Sequence, residues 1–168
     1  MFRFRNRIKS LIALPAMAGV LLLTACQASG GGTLPSVGTD CRGYGNATFG
    51  FTASDTTAAP TPDAAGTFQG TYIDRCAGVM LRGTGGLRPV APPADAPPGF
   101  SVCVLATADY QSTNPQQPGS GTMTVLACDL AAQPKKDGSE FVAISVDTGP
   151  FAPYVNAGLT AGNIVVRQ

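Results

Sequence analysis

The chain contains no histidine and no tryptophan, and charged residues make up only 12% of it. Without histidine there is no Ser-His or Cys-His nucleophile pair, and the commonest metal ligand is missing. The cysteines never stand in C-x-x-C spacing, so a thiolate metal site is not expected. No basic cluster occurs beyond residue 26, which argues against nucleic acid as a partner and against electrostatic docking to anionic lipid. Beyond residue 26 no window carries the 3.6-residue apolar period of an amphipathic helix. What remains for catalysis is carboxylates, and what remains for architecture is strands.

The apolar run that does exist is at the N-terminus. Met1 to Lys9 carries Arg3, Arg5, Arg7 and Lys9 with no acid, and Ser10 to Leu23 is apolar after its first residue. A positive segment followed by an apolar one is the layout of a secretory signal. The run is short of the roughly 18–20 residues that span a bilayer. It ends in Leu23-Thr24-Ala25-Cys26, which resembles the bacterial lipobox. That resemblance implies cleavage before Cys26, a thioether-linked diacylglycerol on its sulfur and acylation of the new amino group. One chain binds a membrane marginally, whereas two or three hold it for good. Gln27, where an Asp would signal inner-membrane retention, favours the outer membrane where there is one. The expected division is therefore a helical signal peptide over 1–25, a flexible tether over 26–40 and a β-domain over 41–168. The tether is read from its Gly/Ser/Thr composition, and at about 5–6 Å × √n it would hold the domain roughly 20 Å from the lipid. Removal of 1–25 leaves seven basic against ten acidic residues, so the membrane partner is reached through the lipid and not through charge.

Four cysteines remain in the mature chain: Cys41, Cys76, Cys103 and Cys128. An even set in an exported chain predicts two disulfides. Period-two alternation dominates from Cys41 onward. Strands are predicted over 46–53, 67–74, 78–82, 100–110, 121–130, 140–147, 151–156 and 163–167. The proline-rich stretch to Pro98 reads as a stiff surface loop from Gly83 to Gly99, since proline cannot donate to a ladder. The fold class is all-β, a single antiparallel β-sandwich or barrel-like domain of about seven or eight strands. Register selects the cysteine pairs. If Cys103 faces Cys128, Tyr110 faces Gly121 and the turn falls on the polar, proline-containing 111–120 stretch. If Cys41 faces Cys76, Phe49 faces Phe68 and the loop falls on the Thr/Ala/Pro stretch 55–65. Both choices bring like faces together, so the expected bridges are Cys41–Cys76 and Cys103–Cys128.

Three blocks carry a family resemblance: Gly45-Asn46-Ala47-Thr48-Phe49-Gly50-Phe51, Gly66-Thr67-Phe68-Gln69-Gly70-Thr71-Tyr72-Ile73-Asp74, and Ser139 to Ile144 leading to Gly158 through Val166. Together they resemble the post-COAP domain, a small all-β module of secreted and surface bacterial proteins. The resemblance implies a compact β-domain in an extracellular setting and no particular reaction. The cysteine pairs, the Pro89–Pro98 stretch and Ser139 depart from that pattern.

Catalytic candidates are few. Asp147-Thr148-Gly149 after Ile144-Ser145-Val146 resembles the active-site triplet of aspartic proteases, but Pro150 stands where a small residue belongs, and that chemistry needs two carboxylates sharing a proton. A strand ending in a turn accounts for the same residues. Asp129, Asp137 and Asp147 lie at strand ends and suit Ca²⁺ in chemistry but not in spacing, so turn capping is preferred. Tyr44, Tyr72, Tyr110 and Tyr154 would line a sugar-binding face or sit half-buried in the sheet. The sequence thus predicts no catalytic residue, no metal and no cofactor. It predicts instead a lipid-anchored, non-enzymatic interaction domain at the cell envelope, facing the periplasm or the exterior, with an envelope polymer or protein as partner. The alternatives are a carboxylate hydrolase using Asp147 and a purely structural lipoprotein.

Overall fold

The computed structural model describes residues 27–38, 41, 43, 45–54, 66–92, 100, 102–129 and 140–167. The signal segment and Cys26 lie outside the described residues. Within them the chain forms eight strands: β1 (Gln27–Pro35), β2 (Asn46–Ser54), β3 (Gly66–Asp74), β4 (Val79–Val90), β5 (Val102–Ser112), β6 (Ser120–Asp129), β7 (Glu140–Val146) and β8 (Tyr154–Arg167). Each pairs antiparallel with its neighbour in sequence, and β1 pairs with β8, so the meander closes into a barrel. Closure removes every sheet edge. Of the two architectures expected, the barrel is therefore the one adopted.

The alternation that predicted strands also sorts the two faces of the wall. Phe49, Phe51, Phe68, Tyr72, Val104, Tyr110, Met123, Val142 and Ile164 point inward and are buried. Thr52, Gln69, Arg82, Thr84 and Asp109 point outward and are exposed. Apolar inside and polar outside is the inverse of a transmembrane barrel. The Phe49, Phe51 and Phe68 rings stack along the interior with centroids 6.4 and 6.0 Å apart, and burying each contributes about 2–3 kcal/mol. They and their neighbours leave an apolar void of about 20 Å³.

Four expectations change. The expected tether is a strand: Gln27–Pro35 pairs with β2 on one side and β8 on the other. Its glycines serve packing instead of flexibility. A Cβ on Gly30 would meet Ile164 Cγ1 and the Phe51 ring at 2.9 Å, so the bare backbone makes room for core side chains that β1 does not itself supply. Ala28 and Leu34, on the same face, bury the ends of the strand.

Next, the expected 83–99 loop is shorter, because β4 runs on to Val90. Pro89 lies beyond the last β3–β4 pair, Gly66↔Leu87, and opposite Val104 on β5, so only one flank of the strand is laddered where proline sits. Third, the last two expected strands are halves of one. Tyr154–Thr160 pairs with β7 and Ala161–Arg167 pairs with β1, so a single strand changes neighbours midway.

The fourth change concerns register. Both disulfides form, Cys41–Cys76 and Cys103–Cys128. Cys103 faces Cys128 and Tyr110 faces Gly121 as predicted. In the other hairpin Phe49 faces Tyr72 and Phe68 faces Ala53, so Cys41 and Cys76 are not ladder partners. They are joined beyond the strand ends, where Cys76 lies in the 75–78 turn, and the loops free them from the parity that governs a ladder.

The barrel has two distinct ends. The upper end gathers Pro35, Asn46, Asp74, Val79, Ser112, Ser120, Val146 and Tyr154 with the Cys41–Cys76 bridge. The lower rim gathers Gln27, Ser54, Gly66, Val90, Val102, Asp129, Glu140 and Arg167, with the Cys103–Cys128 bridge one step in.

Candidate functional site

The most concentrated group of polar side chains lies inside the upper end. Tyr72 and Asp74 are two apart on β3, so the strand's alternation sends both inward. Tyr154 and Asn156 do the same at the start of β8, and Ser36 follows β1 directly. Asp74 is fully buried and Asn156 nearly so. Across the mouth Tyr154 Oη donates to Asp74 Oδ2 at 2.7 Å, the two tyrosine hydroxyls lie 2.6 Å apart, and Asn156 Nδ2 reaches Tyr72 Oη at 2.8 Å and the Pro35 carbonyl at 3.0 Å. Ser36 Oγ donates to Asp74 Oδ1 at 2.6 Å, and the Ala77 N–H reaches the same oxygen at 3.0 Å.

Proton positions follow from this connectivity. The Tyr154 proton is committed to Asp74, so Tyr72 donates to Tyr154 and itself accepts from Asn156. The result is one directed chain, Asn156 to Tyr72 to Tyr154 to Asp74, with every member satisfied. Such a chain polarises along its length and gains from cooperativity. Burial alone would raise the Asp74 pKa, but hydrogen bonds from Ser36, Tyr154 and the backbone of Ala77 and Cys76 more than offset it and hold the carboxyl below its usual value. Burial pushes the Tyr72 phenol up, with the Asp74 charge adding to the effect. Tyr154 moves the same way, from burial first and then from its bonds to Tyr72 and Asp74. Near neutral pH the carboxylate stays charged and both phenols stay protonated. The cluster holds β1, β3 and β8 together across the mouth.

The other candidates fall in different places. Asp147 is exposed, and its two oxygens accept from Thr124 Oγ1 and Ser145 Oγ, both at 2.9 Å. It sits in a web of outer-wall hydroxyls at the β6–β7 edge. Asp129 Oδ2 accepts from the Val166 N–H at 3.0 Å, tying β6 to β8. Asp137 and Tyr44 lie outside the described residues. Among the described residues no group of three or more His, Cys, Asp or Glu side chains is arranged to hold a metal ion. Tyr72, Tyr110 and Tyr154 are all inside the barrel, so they form no sugar-binding face. Tyr110 donates to the Thr148 carbonyl at 2.9 Å and stacks on Phe151.

The outer wall adds one feature. On β8 Val155 is 60% and Leu159 49% exposed, with Ala157 exposed between them. Across the ladder Leu159 faces Phe141 and Ala157 faces Ala143. Phe141 in turn stands opposite Cys128 and packs its ring against Phe100 at 6.1 Å. The outward side of β7 and β8 is thus an apolar strip, continued across β6 and β5 by Leu126 opposite Ala143 and Leu105 opposite Leu126. Sequence reasoning missed both the strip and Asp74. The signal for Asp74 was available, since a residue two beyond an inward tyrosine shares its face. The strip was hidden because Phe141 and Leu159 fall on the face opposite the stronger Val142, Ile144 and Val146 pattern. No family model, no curated protein and no solved structure matches this chain.

Proposed function

We propose that this chain is a lipid-anchored lipoprotein of the cell envelope whose barrel is a non-enzymatic interaction domain. The apolar strip of Phe141, Ala143, Val155, Ala157 and Leu159 carries the interaction half of the reading. An exposed apolar surface is the usual mark of a contact site. The mid-barrel argues the same way, because around Phe49, Phe51, Phe68 and Met123 the protein's own side chains leave a void of about 20 Å³, close to the size of one water. Two carboxylates are held in place: Asp74 stoppers the barrel and Asp147 is clamped by hydroxyls, which disfavours a hydrolase built on Asp147. The anchoring half rests on the basic segment, the apolar run and Leu23-Thr24-Ala25-Cys26. Two disulfides fit an oxidising compartment, and the blocks resembling the post-COAP domain fit an extracellular module.

Two measurements test this function. Intact mass of the membrane fraction is expected to give a chain starting at Cys26 with diacylglycerol and an amide-linked acyl group; an unmodified Cys26 overturns the anchor. Crosslinking in intact cells followed by pull-down is expected to recover a discrete envelope polymer or protein. Val155→Asp with Leu159→Asp should abolish that capture without changing the melting temperature, and capture that survives the pair removes the strip from the reading.

A further inference from the structure

We infer that the barrel stands on the bilayer by its lower rim, with its polar-plugged upper end held away from the lipid. The inference rests on the proposed lipidation of Cys26 and adds a pose to it. Its basis is the position of Gln27. That residue is already in register on both sides, opposite Ser54 on β2 and Arg167 on β8. It is the lower-rim end of β1. A Cα lies 3.8 Å from the next along the chain, so the residue that bears the acyl chains is attached to the rim itself. A tether of fifteen flexible residues would let the domain wander roughly 20 Å from the surface in any orientation. Here Gln27–Pro35 is a wall strand, so that slack is not left between the acyl chains and the fold.

The rim also fits the surface it would meet. Arg88, near the end of β4, and Arg167, the last residue of β8, are both exposed there. Guanidinium groups at headgroup level make charge-assisted hydrogen bonds to lipid phosphates. The strands, tilted as in other barrels of this size, put the upper end roughly 20 Å above the rim. The strip on β7 and β8 then rises from the membrane along the side of the barrel, open to a partner approaching laterally.

The test uses the lipidated full-length product purified from membranes and reconstituted in phosphatidylethanolamine–phosphatidylglycerol vesicles. One fluorophore is placed on Thr67→Cys at the rim and, separately, on Gln116→Cys in the exposed 113–119 turn of the upper end. Intact mass confirms both native disulfides, and Ala91→Cys, exposed just past the rim end of β4, replaces Thr67→Cys if that variant misfolds. Nitroxide-bearing headgroup lipid is expected to quench the rim label several-fold more than the upper label. Inserting fifteen Gly/Ser residues between Cys26 and Gln27 should erase that difference while vesicle flotation persists. Equal quenching at both sites in the native-length chain overturns the pose. Rim quenching that survives the insertion overturns attachment length as its cause. A chain that carries no lipid by mass and fails to float removes the anchor and the pose together, whereas one that floats without contrast removes the pose alone.

Discussion

The upper end of the barrel is closed by polar groups that find each other, and the lower rim by strand pairing. At the top, a carboxylate, two phenols, an amide and a serine hydroxyl link β1, β3 and β8 through hydrogen bonds, with the Cys41–Cys76 bridge outside them. At the bottom, Gln27 pairs both ways, Asp129 holds the Val166 amide, and Cys103–Cys128 bridges two strands already in register. The contrast separates two ways of fixing a barrel. A buried polar network is specific but brittle, because removing one member strands the rest without water. A ladder shares its load over many equivalent bonds.

The largest expected break is therefore at Asp74. Asp74→Ala leaves the Tyr154 and Ser36 hydroxyls without their acceptor, and should cost about 4 kcal/mol, read as a lowered denaturation midpoint with an unchanged m-value. The same residue sets an acid limit. Its folded pKa is depressed, so its contribution is present above the unfolded carboxyl value, about 4, and is lost as pH falls through the folded one. Thermal melts should drop on acidification below about pH 4, and Asp74→Asn should flatten that drop. The phenols act in the opposite sense. Their folded pKa values are raised, so their contribution holds below the unfolded value, about 10, and is lost above it. Melts of Tyr72→Phe should be less sensitive to alkali than the parent.

The bridges come next. Cys41 and Cys76 are 35 residues apart and Cys103 and Cys128 are 25, so chain entropy assigns each about 3–4 kcal/mol. Replacing each pair by serine tests whether position matters beyond loop length. Loss of Cys41–Cys76 should also speed amide exchange at Asp74 and Ala77, whereas loss of Cys103–Cys128 should leave the upper end protected. Leu34→Ala sharpens the comparison at β1. Leu34 is 1% exposed, and its truncation should cost about 3 kcal/mol in denaturant unfolding, where a tether residue would cost nothing. The smallest effect is a gain. Thr160 Oγ1 is buried without a hydrogen-bond partner, so Thr160→Val should stabilise by about 1 kcal/mol.

Much of this was legible beforehand, for reasons that differ by element. The alternating apolar residues in β2, β3, β5 and β7 gave strands because period two has few rivals there. The Cys103–Cys128 register was fixed by a turn that had only one place to fall. The β1 error came from composition: Gly30-Gly31-Gly32 reads as slack unless one knows that Phe51 and Ile164 need the space. β8 was divided because nothing local says that one strand serves two neighbours, β7 along Tyr154–Thr160 and β1 along Ala161–Arg167. The other hairpin's register slipped because a disulfide between loops obeys no parity. Asp74 and Asn156 carry no motif, since their partners lie about 80 residues away in sequence and only closure of the ring brings them together.

The seam between β1 and β8 has a consequence for biogenesis. A polypeptide made amino end first presents the first stave of this cask long before the last one arrives. Until Arg167 has emerged, β1 and whichever strand came out last both offer raw hydrogen-bonding borders to any neighbouring chain. Those borders stay open until the chain is complete, and the hoop can be tightened only then.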